Sequence, residues 1–184
     1  MNMTTDLTFA ESYLFEIARE LPGGRTRVDR FGSQHGDGVI VEFLPGTPDA
    51  WIGVFAFGDL APRAHTGVYA LPDQRVLVVS RGTGYIVDPK RRSTEDIKPN
   101  PIMHITLSEE PPLVLVADPW SVFAYGETGC EWDTGRIAMD GLTLDGVEGG
   151  KAVGYIASAP DEVVRFSIDL TDGSCDGVDR LSSR

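Results

Sequence analysis

Residues 164–170 read Val164-Arg165-Phe166-Ser167-Ile168-Asp169-Leu170, and the alternation in this stretch decides the fold class. In an extended chain Val164, Phe166, Ile168 and Leu170 fall on one side, and Arg165, Ser167 and Asp169 on the other. A period of two is what a strand with one buried and one wet face requires. Working outward, the chain from Arg25 onward consists of short runs rich in Val, Ile, Phe, Tyr and Thr, broken by Gly, Pro and Asp. These runs predict strands over 39–44, 51–57, 68–71, 76–80, 85–88, 102–107, 113–117, 122–125, 142–147 and 152–157. The 21 glycines and 12 prolines mark frequent chain reversals and exclude a helical bundle.

Only the first part of the chain reads as a helix. Ala10, Leu14, Ile17, Ala18 and Leu21 recur at steps of three and four, Thr8 and Glu11 have capping-box spacing, and Pro22, Gly23 and Gly24 form a stop. Phe9, Tyr13 and Phe15 widen the apolar face enough to dock on a sheet. The expectation is one all-β domain over 1–184: an N-terminal α-helix at 8–21, a β-rich body at 25–170 and an acidic tail at 171–184. Its antiparallel meanders are expected in two packed sheets, sandwich-like or propeller-blade-like. An echo points to an internal duplication. Val54-Phe55-Ala56-Phe57-Gly58-Asp59 resembles Val122-Phe123-Ala124-Tyr125-Gly126-Glu127, and Gly84-Tyr85-Ile86 recurs as Gly154-Tyr155-Ile156 at nearly the same offset.

Length and composition fit a soluble globular chain of 184 residues. The net charge of −12 argues against direct binding of nucleic acid or anionic lipid and leaves a basic partner open. Residues 127–184 are the more acidic, with 12 acids against 5 bases. No apolar run approaches the roughly 20 residues that span a bilayer, and no secretory signal is visible, so a cytoplasmic location without membrane contact is expected. Cys130 and Cys175 read as free thiols.

Sites for chemistry are sparse. Ser80 has Val78 where a nucleophile elbow needs glycine, and Gly82-Thr83-Gly84 lacks the Lys-Ser/Thr pair and helix of a phosphate loop, so both read as turn residues. His35, His65 and His104 lie far apart, and no metal or other cofactor is called for. Asp169, Asp172, Asp176 and Asp179 have oxygen ligands fit for calcium, but their spacing matches neither an EF-hand loop nor a β-roll nonapeptide, and a solvated tail explains them. Asp140-Gly141 and Asp145-Gly146 read as hairpin turns. Two longer connections, 32–38 and 89–101, are the expected functional loops, the second carrying Lys90, Arg91 and Arg92. Aromatic residues are the better clue. Trp51, Trp120 and Trp132, with Phe55, Phe57, Tyr69, Phe123 and Tyr125, give several strands aromatic residues on both faces, more than one inner layer needs, so they either fill a core or form a ligand surface. Trp132 and Arg136, four apart on one expected strand, are placed to stack as a cation–π pair.

Gly82, Gly84, Tyr85, Val87 and Asp88, followed by Trp132, Arg136, Asp140, Gly141 and Leu142, resemble a pattern in small bacterial all-β proteins of uncharacterised function. The resemblance covers roughly 51–173 and implies a β-rich domain, with no activity or catalytic residue to carry across. The reading is therefore a non-enzymatic acidic interaction protein of the immunity or inhibitor kind, binding a basic protein partner and existing as monomer or homodimer. Its candidate surface comprises Trp51, Tyr85, Trp120, Trp132, Arg136, Asp140 and Asp145. A small-ligand-binding β protein with an aromatic pocket is the alternative, and a hydrolase ranks last.

Overall fold

The computed structural model describes residues 3–10, 15–21, 23, 27–33, 37–58, 64–139, 141–159 and 162–178. Seventeen strands account for almost all of the regular structure in them. They are β1 (Thr4–Asp6), β2 (Phe15–Ala18), β3 (Val28–Phe31), β4 (Gly38–Phe43), β5 (Trp51–Ala56) and β6 (Gly67–Ala70). Next come β7 (Val76–Ser80), β8 (Thr83–Asp88), β9 (Ser93–Asp96), β10 (His104–Ser108), β11 (Leu113–Ala117) and β12 (Val122–Gly126). The last are β13 (Gly129–Asp133), β14 (Leu142–Glu148), β15 (Lys151–Ala159), β16 (Glu162–Asp169) and β17 (Cys175–Asp176).

The strands form four sheets rather than the expected two: sheet 1 in the order β2-β4-β5-β3, sheet 2 as β1-β6-β7-β8-β9, sheet 3 as β10-β11-β12-β13 and sheet 4 as β14-β15-β16-β17. Sheets 3 and 4 are antiparallel meanders, whereas sheets 1 and 2 each take one parallel edge strand, β3 on β5 and β1 on β6. Three apolar cores lie between consecutive sheets. Val68, Val76, Val78 and Val87 of sheet 2 pack on Val39, Val41, Phe43 and Phe55 of sheet 1. The alternate residues Tyr69, Leu77, Val79 and Ile86 pack on Val114, Val116, Phe123 and Tyr125 of sheet 3. Leu113, Leu115, Val122 and Ala124 then pack on Leu142, Leu144, Phe166 and Ile168 of sheet 4. Sheets 2 and 3 are thus covered on both faces, which is why β7 and β11 read as unbroken apolar runs. Sheet 4 is covered on one, which is why β16 alternates.

The expected helix at 8–21 is not formed among the described residues; 11–14 lie outside them, and 15–18 are strand β2, paired antiparallel with β4 from Phe15↔Phe43 to Ala18↔Ile40. The cause is local. Asp6 takes the amide of Thr8 onto Oδ1 at 2.8 Å and Leu7 takes that of Ala10 at 2.9 Å, so the chain turns there without starting a helix. Phe15 and Ile17 then satisfy an alternation as well as they satisfy helical spacing, and Phe15 is fully buried in the first core. Within the stretch expected as an acidic tail, 175–176 pair with β16, while 179–184 lie outside the described residues.

The echo links sheet 1 with sheet 3 through β5 and β12, and sheet 2 with sheet 4 through β8 and β15.

Candidate functional site

One end of the stack gathers the turns β6–β7, β8–β9 and β12–β13. Between them runs an open trough of about 810 Å³, walled by β8 and β9 of sheet 2 and by β12 and β13 of sheet 3. Local sequence makes this wall polar. The register pairs Ile86 with Glu95 and Asp88 with Ser93, and directly paired residues share a face, so Glu95 and Ser93 look toward sheet 3 just beyond the last apolar residue. The turn after β8 is built by Asp88, whose Oδ1 accepts the amides of Lys90 and Arg91 at 2.9 and 2.8 Å, and Arg92 closes it at φ 57°. This is the segment 89–101 anticipated as a functional loop, except that β9 orders its centre.

Most charges in the trough are already matched. Arg75 spans from the β6–β7 turn to β9, with Asp73 and Glu95 each at 2.7 Å. Burial works against its charge, but those two carboxylates outweigh it and raise its pKa. Arg91 pairs with Asp88 at 3.6 Å, and Lys98 reaches across to Asp133 of β13 at 3.6 Å. Asp96 and Glu127, on opposite walls, have no ion-pair partner among the described residues, and neither has Lys90. Burial pushes the Tyr125 phenol and the Cys130 thiol up, so at neutral pH both are uncharged and Cys130 is a poor nucleophile.

On the other side of the β12–β13 turn lies a second groove of about 510 Å³, lined by Pro111, Pro112, Leu113, Glu127, Glu131 and Trp132. The trough and the groove share Glu127 and Thr128 as a common ridge. Glu131 is fixed by accepting from the Thr128 amide and hydroxyl at 2.9 and 3.0 Å.

The sequence-predicted site residues are dispersed. Trp51 and Tyr85 are buried in the first core, Trp51 stacked on Phe43 at 4.5 Å and donating Nε1–H to the Pro89 carbonyl, Tyr85 donating to Ala56. They are core residues and form no aromatic platform. Trp132 and Arg136 do not share a strand, because β13 ends at Asp133 and Gly135 turns the chain at φ 63°. Arg136 instead lies over Trp120, 6.0 Å from its ring, at the β11–β12 end of sheet 3, away from the trough. Trp132 donates to the Leu170 carbonyl at 2.9 Å and keeps part of its ring in the second groove. Asp145 is exposed on β14, and Asp140 and His35 lie outside the described residues. Sequence reasoning missed Arg75, Glu95, Asp96 and Glu127. Their only signal was the Lys90-Arg91-Arg92 cluster in an acidic chain.

Other sequence features are structural. Ser80 is fully buried and donates to the Phe55 carbonyl at 2.9 Å, leaving no exposed nucleophile there. Arg81 and Gly82 form the two-residue β7–β8 turn with φ of 47° and 81°, the hairpin geometry that favours glycine. Among the described C-terminal acids, Asp169 and Asp172 cap local turns and Asp176 pairs with Lys151, and no three His, Cys, Asp or Glu side chains among the described residues are grouped to hold an ion. Cys130 is a free thiol, and the Cys175 thiol donates to the Gly173 carbonyl at 3.6 Å. Among the described residues no helix is long and apolar enough to cross a membrane. Comparison of the chain with protein-family models, curated proteins and solved structures finds no match. Function is therefore argued from the site alone.

Proposed function

We propose that the protein is a non-enzymatic binding protein that holds a basic segment of another protein in the trough between sheets 2 and 3, in the manner of an immunity or inhibitor protein. The observation that carries this reading is the division of charge in the trough. Arg75, Arg91 and Lys98 are committed to acids of the same chain, while Asp96 on one wall and Glu127 on the other have no ion-pair partner among the described residues and outnumber the one uncommitted cation, Lys90. A lysine or arginine entering there meets two carboxylates without displacing an internal pair. The net charge of −12 steers such a partner inward from a distance.

The test is calorimetric titration of the intact protein with a lysine-rich octapeptide and with its glutamate counterpart. The basic peptide is expected to bind, to weaken as salt rises from about 0.05 to about 0.5 M, and to lose affinity in Asp96→Lys and Glu127→Lys. Equal binding of both peptides, or none up to about 1 mM, sinks the proposal.

A second reading rests on the groove beside Trp132, where Pro111, Pro112 and Leu113 offer apolar walls for a small aromatic ligand. It predicts quenching of tryptophan emission by such a ligand, abolished by Trp132→Leu.

A further inference from the structure

We propose that the basic segment binds as an added β-strand on the free edge of β9. This rests on the reading above and names its mode.

Edge strands present unpaired amides and carbonyls, and proteins normally blunt them. Three edges of sheets 3 and 4 are blunted. β13 is broken by a register shift between its pairings to Ala124 and Tyr125, β14 by another between Leu144 and Gly146, and β17 is two residues long. β9 has neither defence. It runs without a bulge from Ser93 to Asp96, in unbroken register with β8, and contains no proline or lysine. Among the described residues no backbone hydrogen bond outside its ladder reaches it. Three of its four residues are exposed.

What guards β9 is charge of one sign. Glu95 and Asp96 repel the same edge of a second acidic copy, so self-pairing is opposed, yet the same carboxylates attract a basic strand. Geometry then sorts the incoming side chains. An added strand continues the pleat of sheet 2, so alternate residues lie on the face that Glu95 shares with Ile86, over the trough and toward Glu127. The intervening residues lie on the face that Asp96 shares with Tyr85. Backbone hydrogen bonds supply affinity and alternate basic side chains supply selectivity, as in other strand-addition complexes. The partner chemistry is therefore an extended segment with lysine or arginine at alternate positions, rather than a basic helix.

The experiment compares two octapeptides of alternating lysine and threonine on the intact protein. One is unmodified and the other is N-methylated at every internal amide, so that neither edge can donate, with unchanged charge and sequence. The unmodified peptide is expected to bind at least about tenfold more tightly, since methylation removes the donors a ladder needs. Hydrogen exchange is expected to slow at the alternate β9 amides that point away from β8 when it is added. Asp96→Asn, which breaks no ion pair among the described residues, is expected to weaken binding while leaving the melting temperature within a few degrees, as Asp96 is exposed. Equal binding of the two peptides, or slowed exchange elsewhere but not in β9, overturns strand addition while leaving the basic-partner reading intact. Binding of neither overturns both. A dimer by sedimentation whose β9 amides are protected without peptide also overturns it, because a second copy then occupies the edge.

Discussion

The triplet Gly-Tyr-Ile occurs on β8 in sheet 2 and on β15 in sheet 4, and the two copies have different fates. Tyr85 is 8% exposed, covered by sheet 1, with its hydroxyl on Ala56; Tyr155 is 39% exposed on the outer face of the stack. Gly84 leaves room for Ile97 and Ile102, and Gly154 for the ring of Phe166, so the glycine plays one part in both. What differs is the layer. The position of a sheet in the stack, and not its local sequence, decides whether a side chain is core or surface.

The sharpest way to break that statement is to truncate both tyrosines. Tyr85→Ala is expected to destabilise by about 3 to 5 kcal/mol, the range for emptying an aromatic core site, and Tyr155→Ala by less than about 1 kcal/mol. Urea denaturation measures both, and equal losses would mean that sheet 1 does not cover sheet 2. A smaller contrast separates two serines. Ser80→Ala strands the Phe55 carbonyl from a buried donor and is expected to cost about 1 to 2 kcal/mol, whereas Ser167→Ala on the outward side of β16 stays within about 0.5 kcal/mol.

The same distinction explains what the sequence revealed. β7 and β11 were predicted over the residues they occupy, because continuous apolar runs bounded by turns mark strands buried on both faces. Such runs do not say how many layers cover them, and two sheets were expected where four exist. β9 escaped because Ser-Thr-Glu-Asp has no apolar side at all; it is a strand only because β8 offers a ladder. The false helix arose from Phe15 and Ile17, which fit both periods, and it was decided by the β4 edge waiting to be paired. For Trp51 and Tyr85 the aromatic clue marked depth for a related reason: inner sheets need large side chains on both faces. The basic loop was legible, but Glu95 and Asp96 within it carry no pattern of their own, and Asp73, Glu127 and Asp133 come from turns and strands distant in sequence.

Acid separates inner and outer layers in a further way. His65 precedes β6, lies within hydrogen-bond distance of the Tyr69 hydroxyl at 2.5 Å, and is held below its ordinary 6.5 by burial, with His104 adding to the effect. Burial also lowers His104, against the opposing pull of Asp145 on β14. For both, the unfolded chain takes up protons more readily than the native one. Their share of stability is therefore complete above pH 6.5 and is lost as pH falls from there through the lowered native values. On the outer sheet Asp169 is lowered from 3.8 by the hydroxyl and amide of Thr171, so its share is kept until pH falls below that value. The urea midpoint is expected to decline first below pH 6.5, and His104→Gln to flatten that part of the curve and leave the more acidic part unchanged. A curve flat down to pH 4 would show that neither histidine is buried.

The smallest expected effect tests the outer face directly. Arg165 on β16 pairs with Glu148 on β14 at 2.9 Å, with 58% and 67% of their side-chain surfaces exposed. Water screens both partners, and holding two long side chains together opposes what the charges gain. A double-mutant cycle through Arg165→Ala and Glu148→Ala is therefore expected to give a coupling of about 0.2 to 1 kcal/mol that disappears at high salt. A larger, salt-insensitive coupling would require the pair to be dry. Something would then have to cover the face of sheet 4 that is open here, and β16 would no longer need to alternate.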